Sequence, residues 1–250
     1  MIQAVADAIL ALPKPALCLD FDGVLVEIAP RPEAITVADD LPGRLNALAR
    51  RLKGCVAIIT GRTHADLSRY LDLTAFPVAS SHGAQFSAAG SVEVQLLLDA
   101  HDLDPLRPDV AQTVEAHPGV YLEDKGTAIV VHTRPNPNAH DTILAHLTQL
   151  VAPRADVHIG SGKGIVELRL ASENKGTAIK RLIELPGWEG AQPVMIGDDT
   201  TDNDGMAVAK ELGGFGVQIG DGPDGTGLSH ATLRLDTVQQ THKMLQLLTA

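Results

Sequence analysis

Apolar residues fall along this chain in two rhythms. Short unbroken runs, Ala16-Leu17-Cys18-Leu19, Cys55-Val56-Ala57-Ile58-Ile59, Pro77-Val78-Ala79, Pro193-Val194-Met195-Ile196 and residues 216–219, have the length of strands buried on both faces of a parallel sheet. Between them the apolar positions recur at helical spacing. Leu41, Leu45, Leu48 and Leu52, with Pro42 near the first turn, predict a helix, and further helices are predicted over residues 64–70, 175–185 and 237–248. Strand and helix in alternation predict a doubly wound sheet.

The middle of the chain has a different grammar. Residues 103–116 and 138–150 read as helices, and residues 120–123 and 127–132 flank Asp124-Lys125-Gly126 as a hairpin. Two more short strands, 156–159 and 165–170, flank the glycine-rich turn Gly160-Ser161-Gly162-Lys163-Gly164. The expected fold is therefore α/β: a doubly wound, Rossmann-like parallel-sheet core from residues 1–102 and 173–250, interrupted by an α+β cap domain over 103–172.

Composition narrows the partners. Lys and Arg number 20 against 31 Asp and Glu, a formal charge of -11, and aromatics make up 3%. That balance disfavours nucleic acid or an anionic membrane surface as a partner. No apolar run approaches the roughly 20 residues that span a bilayer. Residues 1–12 carry Asp7 and lack a basic start, which suits an amphipathic first helix better than a signal peptide. Cys18 and Cys55 both fall in predicted strands and read as small core hydrophobes in a reducing compartment. A cytoplasmic protein acting on a small molecule is the expectation.

The candidate chemistry sits at the ends of the apolar runs, where open α/β sheets bind ligands. Asp20-Phe21-Asp22-Gly23 follows the first run, Thr60-Gly61-Arg62 the second, Ser80-Ser81-His82-Gly83 the third, and Gly197-Asp198-Asp199-Thr200-Thr201-Asp202 the fourth. Lys175 stands at a helix start. Any one of these aspartates alone reads equally as a cap or turn residue. Together they suit phosphoryl transfer through an aspartyl phosphate. A carboxylate and a phosphate about 4 Å apart repel by about 4 kcal/mol at an effective dielectric near 20, so the chemistry needs a divalent cation and a lysine. Magnesium prefers oxygen ligands, which Asp20, Asp198 and a main-chain carbonyl could supply. Asp22 could move protons to and from the leaving oxygen and the attacking water.

These blocks, in this order, resemble the four motifs of the haloacid dehalogenase superfamily of phosphatases. The resemblance implies Asp20 as nucleophile, Asp22 as general acid and base, and Thr60 and Lys175 as ligands of the phosphoryl oxygens. It also implies Mg²⁺ held by Asp20, the Asp22 carbonyl and Asp198, with Asp199 and Asp202 in support. Within the superfamily, residues 20–30 (DFDGVLVEIAP), Ser81-His82-Gly83, Glu123-Asp124-Lys125-Gly126 with His132 and Arg134 downstream, Gly162-Lys163-Gly164-Ile165-Val166-Glu167 and GDDTTD resemble the trehalose-6-phosphate phosphatase family. That likeness implies hydrolysis of trehalose 6-phosphate. Glu123, Lys125, His132, Arg134 and Glu167 would line the sugar pocket, Gly61, Arg62 and His82 would also touch substrate, and the cap would close over it. Val24 and Asn203 depart from the family pattern, which has Thr and Glu there.

Bland readings stand beside these. Glu123, Lys125 and Arg134 also suit cross-strand or solvated positions, His132 a structural histidine, and Arg62 a helix cap. Another sugar or polyol phosphatase, a phosphosugar mutase and a weakly catalytic sugar-phosphate sensor share the motifs. Residues 160–164 lack the first glycine and the Ser/Thr of a P-loop, so a hairpin turn is expected. Residues 220–225 miss the aspartate spacing of an EF-hand and read as a loop at the rim.

Overall fold

A computed structural model describes residues 1–162, 164–222, 225 and 227–249. The chain divides into two compact units, one from residues 1–95 and 174–250, the other from residues 96–173.

The first unit carries a sheet in the order β12-β11-β10-β1-β2-β3-β4-β5. Its strands are β1 (Pro15–Leu19), β2 (Val56–Ile59), β3 (Val78–Ser80), β4 (Gln85–Ser87), β5 (Gln95–Leu96), β10 (Gln192–Gly197), β11 (Phe215–Ile219) and β12 (Ala231–Leu235). The first three and last three run parallel, and β4 turns back antiparallel on β3. The expected parallel core is there. The antiparallel β4, together with β5 and β12, has no counterpart in the sequence reading, because polar residues such as Gln85, Ser87, Gln95, Thr232 and Arg234 interrupt their apolar positions.

Alternate strand residues go to opposite faces. Leu17, Leu19, Val56, Ile58, Val194, Ile196, Val217 and Ile219 pack with α1 (Ile2–Leu10), α2 (Leu41–Arg51) and α8 (Val238–Thr249) into one apolar cluster. On the other face α6 (Lys175–Leu182) and α7 (Asp202–Glu211) pack on one another, with α7 against β10 and β11. Leu41, Leu45 and Leu48 are the buried stripe of α2, as their spacing requires. Val24 is buried in the same cluster, so the missing hydroxyl is replaced by core packing. Cys18 and Cys55 are buried free thiols, and burial pushes both up from their ordinary value. Among the described residues no helix is long and apolar enough to cross a membrane.

The chain reaches β2 and β3 on one side of β1, and β10 and β11 on the other. The order of travel therefore reverses between β1 and β10, a switch point at which the loops beyond the strand tips diverge and leave a crevice.

The second unit begins at residue 96, before the expected 103, because a 3-10 stretch over Ala100–Leu106 packs into its core. The helix expected over 103–116 is split there: the tight 3-10 stretch contains Pro105, and Pro108 sits in the first turn of α4 (Arg107–Glu115). A four-stranded antiparallel sheet follows in the order β6-β7-β9-β8, from β6 (Tyr121–Asp124), β7 (Ala128–His132), β8 (Val157–Gly162) and β9 (Ile165–Leu170). Ile129, Val131, Val166 and Leu168 bury one face in a cluster with residues of α4 and α5 (His140–Val151). Gly162 pairs with Ile165 across the β8–β9 turn, as expected of a hairpin; Lys163 lies outside the described residues. Of the rim loop 220–225, Pro223 and Asp224 also lie outside them.

Candidate active site

Three parallel strand tips and two helix starts supply the side chains at the switch point. Asp20 follows β1, and its main-chain N–H donates to the Ile196 carbonyl of β10. Its carboxylate has two partners: Oδ1 accepts from Phe21 N at 2.7 Å, and Oδ2 lies 2.7 Å from Lys175 Nζ. Lys175 is the first residue of α6, and a capping box fixes that start. The Asn174 side chain accepts from Gly176 N and Thr177 N at 2.8 and 3.0 Å, while Thr177 Oγ1 accepts from Asn174 N at 3.0 Å. Gly176 lets α6 approach α7 closely, since a Cβ there would stand 2.9 Å from the Asp204 carbonyl.

Lys175 Nζ also donates to Asp202 Oδ1 at 2.6 Å, and Asp202 Oδ2 accepts from Asp198 N and Asp199 N at 2.9 Å each. Asp202 is wholly buried and rests against Gly197, where any Cβ would collide with its carboxylate. So Asp202 shapes the 198–199 turn and anchors the lysine. Burial lowers Lys175, but Asp20 and Asp202 outweigh it and leave the ammonium well above its ordinary value. Burial pushes Asp20 up; Lys175 opposes that, and Asp202 and Asp198 add to it.

Oxygens of Asp20, Asp198 and Asp202 lie within 4.8 Å of one another. An all-carboxylate set suits a hard divalent cation. Of the three, Asp202 is wholly buried and its oxygens serve Lys175 and two main-chain N–H groups, whereas Asp20 and Asp198 stand at the tips of β1 and β10. Gly23, at φ +76°, is the cradle for Asp198: a Cβ there would fall inside that carboxylate.

Asp22 and Arg62 form one unit. Arg62 Nε and Nη2 fork onto Asp22 Oδ2 and Oδ1 at 2.7 and 2.8 Å, Nη1 reaches Asp66 at 2.5 Å, and Nη2 also reaches the Pro32 carbonyl at 2.9 Å. Burial lowers Arg62 but these carboxylates raise it more, so it stays charged. The structure thus brings Arg62 to Asp22; the sequence alone suggests a substrate ligand or a helix cap. Of these contacts, only the i,i+4 spacing of Arg62 and Asp66 is a signal in the sequence.

Thr60 is buried, and its Oγ1 accepts from Arg62 N at 3.2 Å. His82 N donates to the Thr60 carbonyl and Ser81 N to that of Arg62. Both residues have positive φ, 49° for Ser81 and 57° for His82, a conformation uncommon for side-chain-bearing residues. The His82 ring lies over Gly61, whose Cβ would come within 2.6 Å of Nε2. Asn203 ties down the neighbouring loop, donating to Ser229 Oγ and accepting from His230 N at 2.9 Å each.

The other sequence-predicted residues belong to the second unit. Register places Glu123, Val130 and Glu167 in one cross-strand row and Tyr121, His132 and Ile165 in the next, all on the sheet face opposite the apolar cluster. His132 Nε2 and Glu123 Oε2 lie 2.8 Å apart, and that hydrogen bond, against burial and with help from Lys125, holds Glu123 below its ordinary value. Lys125 stands in the β6–β7 turn with its N–H on the Ala128 carbonyl, and Arg134 N donates to the Gly164 carbonyl at 3.0 Å. Sequence reasoning missed Tyr121, which stacks on His132 at 4.3 Å.

A parallel sheet whose switch point gathers carboxylates around one buried lysine, with an α/β unit spliced in before the lysine, is the plan of the haloacid dehalogenase-like hydrolases. The fold agrees with a haloacid dehalogenase-like hydrolase from Bacteroides thetaiotaomicron at TM-score 0.66 and 14% identity, over 93% of this chain and 99% of that one. It agrees more fully with the C-terminal domain of a Candida albicans trehalose-6-phosphate phosphatase, at TM-score 0.85 and 23% identity over 99% and 96%. The family model for trehalose-phosphatase matches residues 18–239. The Escherichia coli K12 trehalose-6-phosphate phosphatase is 32% identical over 94% of this chain and 87% of its own length. The chain belongs to the trehalose-phosphatase family.

Proposed function

We propose that this protein is a Mg²⁺-dependent phosphatase that hydrolyses trehalose 6-phosphate to trehalose and phosphate through an aspartyl phosphate on Asp20. The observation that carries the reading is the buried chain from Asp20 through Lys175 to Asp202, beside Asp198, at the sheet's switch point. Family membership supports the substrate.

Asp20 attacks phosphorus while the P–O bond to the sugar breaks, and Asp22 gives its proton to the departing O6. Water then attacks the acyl phosphate, Asp22 takes its proton, and phosphate leaves with Asp20 restored. Lys175 and Thr60 face the phosphoryl oxygens. Arg62 grips both oxygens of Asp22, so it sets where that carboxylate starts. Asp20, the Asp22 carbonyl and Asp198 would hold Mg²⁺, whose charge offsets that of the phosphate and favours the carboxylate form of Asp20. Asp199 and Asp202 support these groups. Gly61 and His82 shape the loop beside Thr60. In the unit 96–173, which serves as the cap, Glu123, Lys125, His132, Arg134 and Glu167 bind sugar hydroxyls, acids accepting and bases donating.

Phosphate release from a panel of sugar phosphates, with and without EDTA, tests this. Selective, magnesium-dependent turnover of trehalose 6-phosphate is expected. Preference for another sugar phosphate would remove the substrate, and phosphoryl transfer to sugar in place of water would make the protein a mutase.

A further inference from the structure

The polar face of the second unit's sheet has a feature that the roles above do not use, an exposed aromatic ring. Aromatics are 3% of this chain, and among the described residues Tyr121 is the one that stands exposed, at 45%. Its position is fixed on one side only: the ring lies parallel to the His132 imidazole, 5° between planes, and His132 is itself held by Glu123 at 2.8 Å. The stack needs no side chain to reorder before a ligand arrives.

We propose that Tyr121 is a specificity-determining platform for one pyranose ring of the substrate. The inference rests on the sugar-phosphatase reading. Its physical basis is the complementarity of a ring's negative π-face to the C–H groups that a pyranose presents on one side, while its hydroxyls point outward to acids and bases. A disaccharide offers little apolar surface other than these C–H faces, and the Tyr121–His132 stack is the flat aromatic surface that this sheet face holds ready.

The test is steady-state kinetics of the full-length enzyme with Mg²⁺, comparing trehalose 6-phosphate with acetyl phosphate, which has no sugar ring. Y121A is expected to raise KM for the sugar phosphate by about fivefold to tenfold more than for acetyl phosphate, the range set by aromatic contacts of this kind. Y121F, which keeps the ring, is expected to stay nearer the parent than Y121A does. Equal losses on both substrates for Y121A would overturn the proposal. Should Y121A fail to fold, Y121L covers His132 without a π-face and faces the same criterion. If the parent enzyme prefers another sugar phosphate, the comparison is run with that compound: a selective loss then upholds the platform and refutes only the substrate assignment.

Discussion

Replacing Asp202 by Asn separates two jobs of one buried carboxylate. In the parent, Oδ1 accepts from Lys175 Nζ at 2.6 Å and Oδ2 from the N–H groups of Asp198 and Asp199 at 2.9 Å. The amide is nearly the same shape and its oxygen can still receive the two N–H groups. Its NH₂ must then face the ammonium, donor against donor, with both groups out of water. Breaking a buried pair by removing one charge costs about 3–5 kcal/mol, and we expect the low end, about 3 kcal/mol, because Asp20 still pairs with Lys175. For a chain of this size that corresponds to a fall in Tm of roughly 6–12 °C. Calorimetry of parent and D202N reads it directly. Repeating D202N in a K175M background isolates the pair: without the ammonium the amide has no opposed donor, and the cost should drop to about 1 kcal/mol or less. A Tm change under about 2 °C in the parent background, or equal costs in both, would refute the reasoning.

Three further outcomes follow from the same geometry. G23A forces a Cβ into the Asp198 carboxylate at a position with φ +76°, so turnover should fall by about a hundredfold, as expected of a site displaced by about an ångström; a fully active G23A enzyme would contradict the cradle. EDTA should abolish turnover and added Mg²⁺ restore it, with D198N needing a higher Mg²⁺ concentration for half-maximal rate; D198N with an unchanged Mg²⁺ requirement would exclude Asp198 as a ligand. Glu123 sits below its ordinary 4.5 because of its hydrogen bond to His132, so it contributes stability above pH 4.5 that is lost as pH falls through its lowered folded value. The Tm difference between parent and E123Q should accordingly be full above pH 4.5 and shrink as pH falls below it; a constant difference would mean that the carboxylate's charge is not involved.

Continuous apolar runs made β1, β2, β3, β10 and β11 legible, because a strand buried on both faces leaves no polar position to confuse its period. That placed Asp20, Thr60 and Asp198 at strand tips, and Lys175 followed from a helix start whose Asn174 and Thr177 form a capping box. Strands with mixed residues, β4, β5 and β12, carry no such signal, and the helix expected over 103–116 ignored Pro105 and Pro108. Partner choice was harder to read than position. Arg62 forks onto Asp22 across 40 residues, and Asn203 bonds to Ser229 and His230, pairs that exist only once the loops are brought together. Tyr121 escaped for a related reason: its meaning comes from cross-strand register with His132, and a single aromatic in a hairpin says nothing about its neighbour.

The central claim is that Asp20 carries the phosphoryl group. Rapid quench of the Mg²⁺-loaded enzyme during turnover of trehalose 6-phosphate, followed by borohydride reduction and peptide mass spectrometry, tests it. Acyl phosphates are reduced to alcohols and free carboxylates are not, so reduction is expected at position 20 and none in D20N. Modification at another carboxylate, or none at position 20 while phosphate is being released from an intermediate that accumulates, would contradict it.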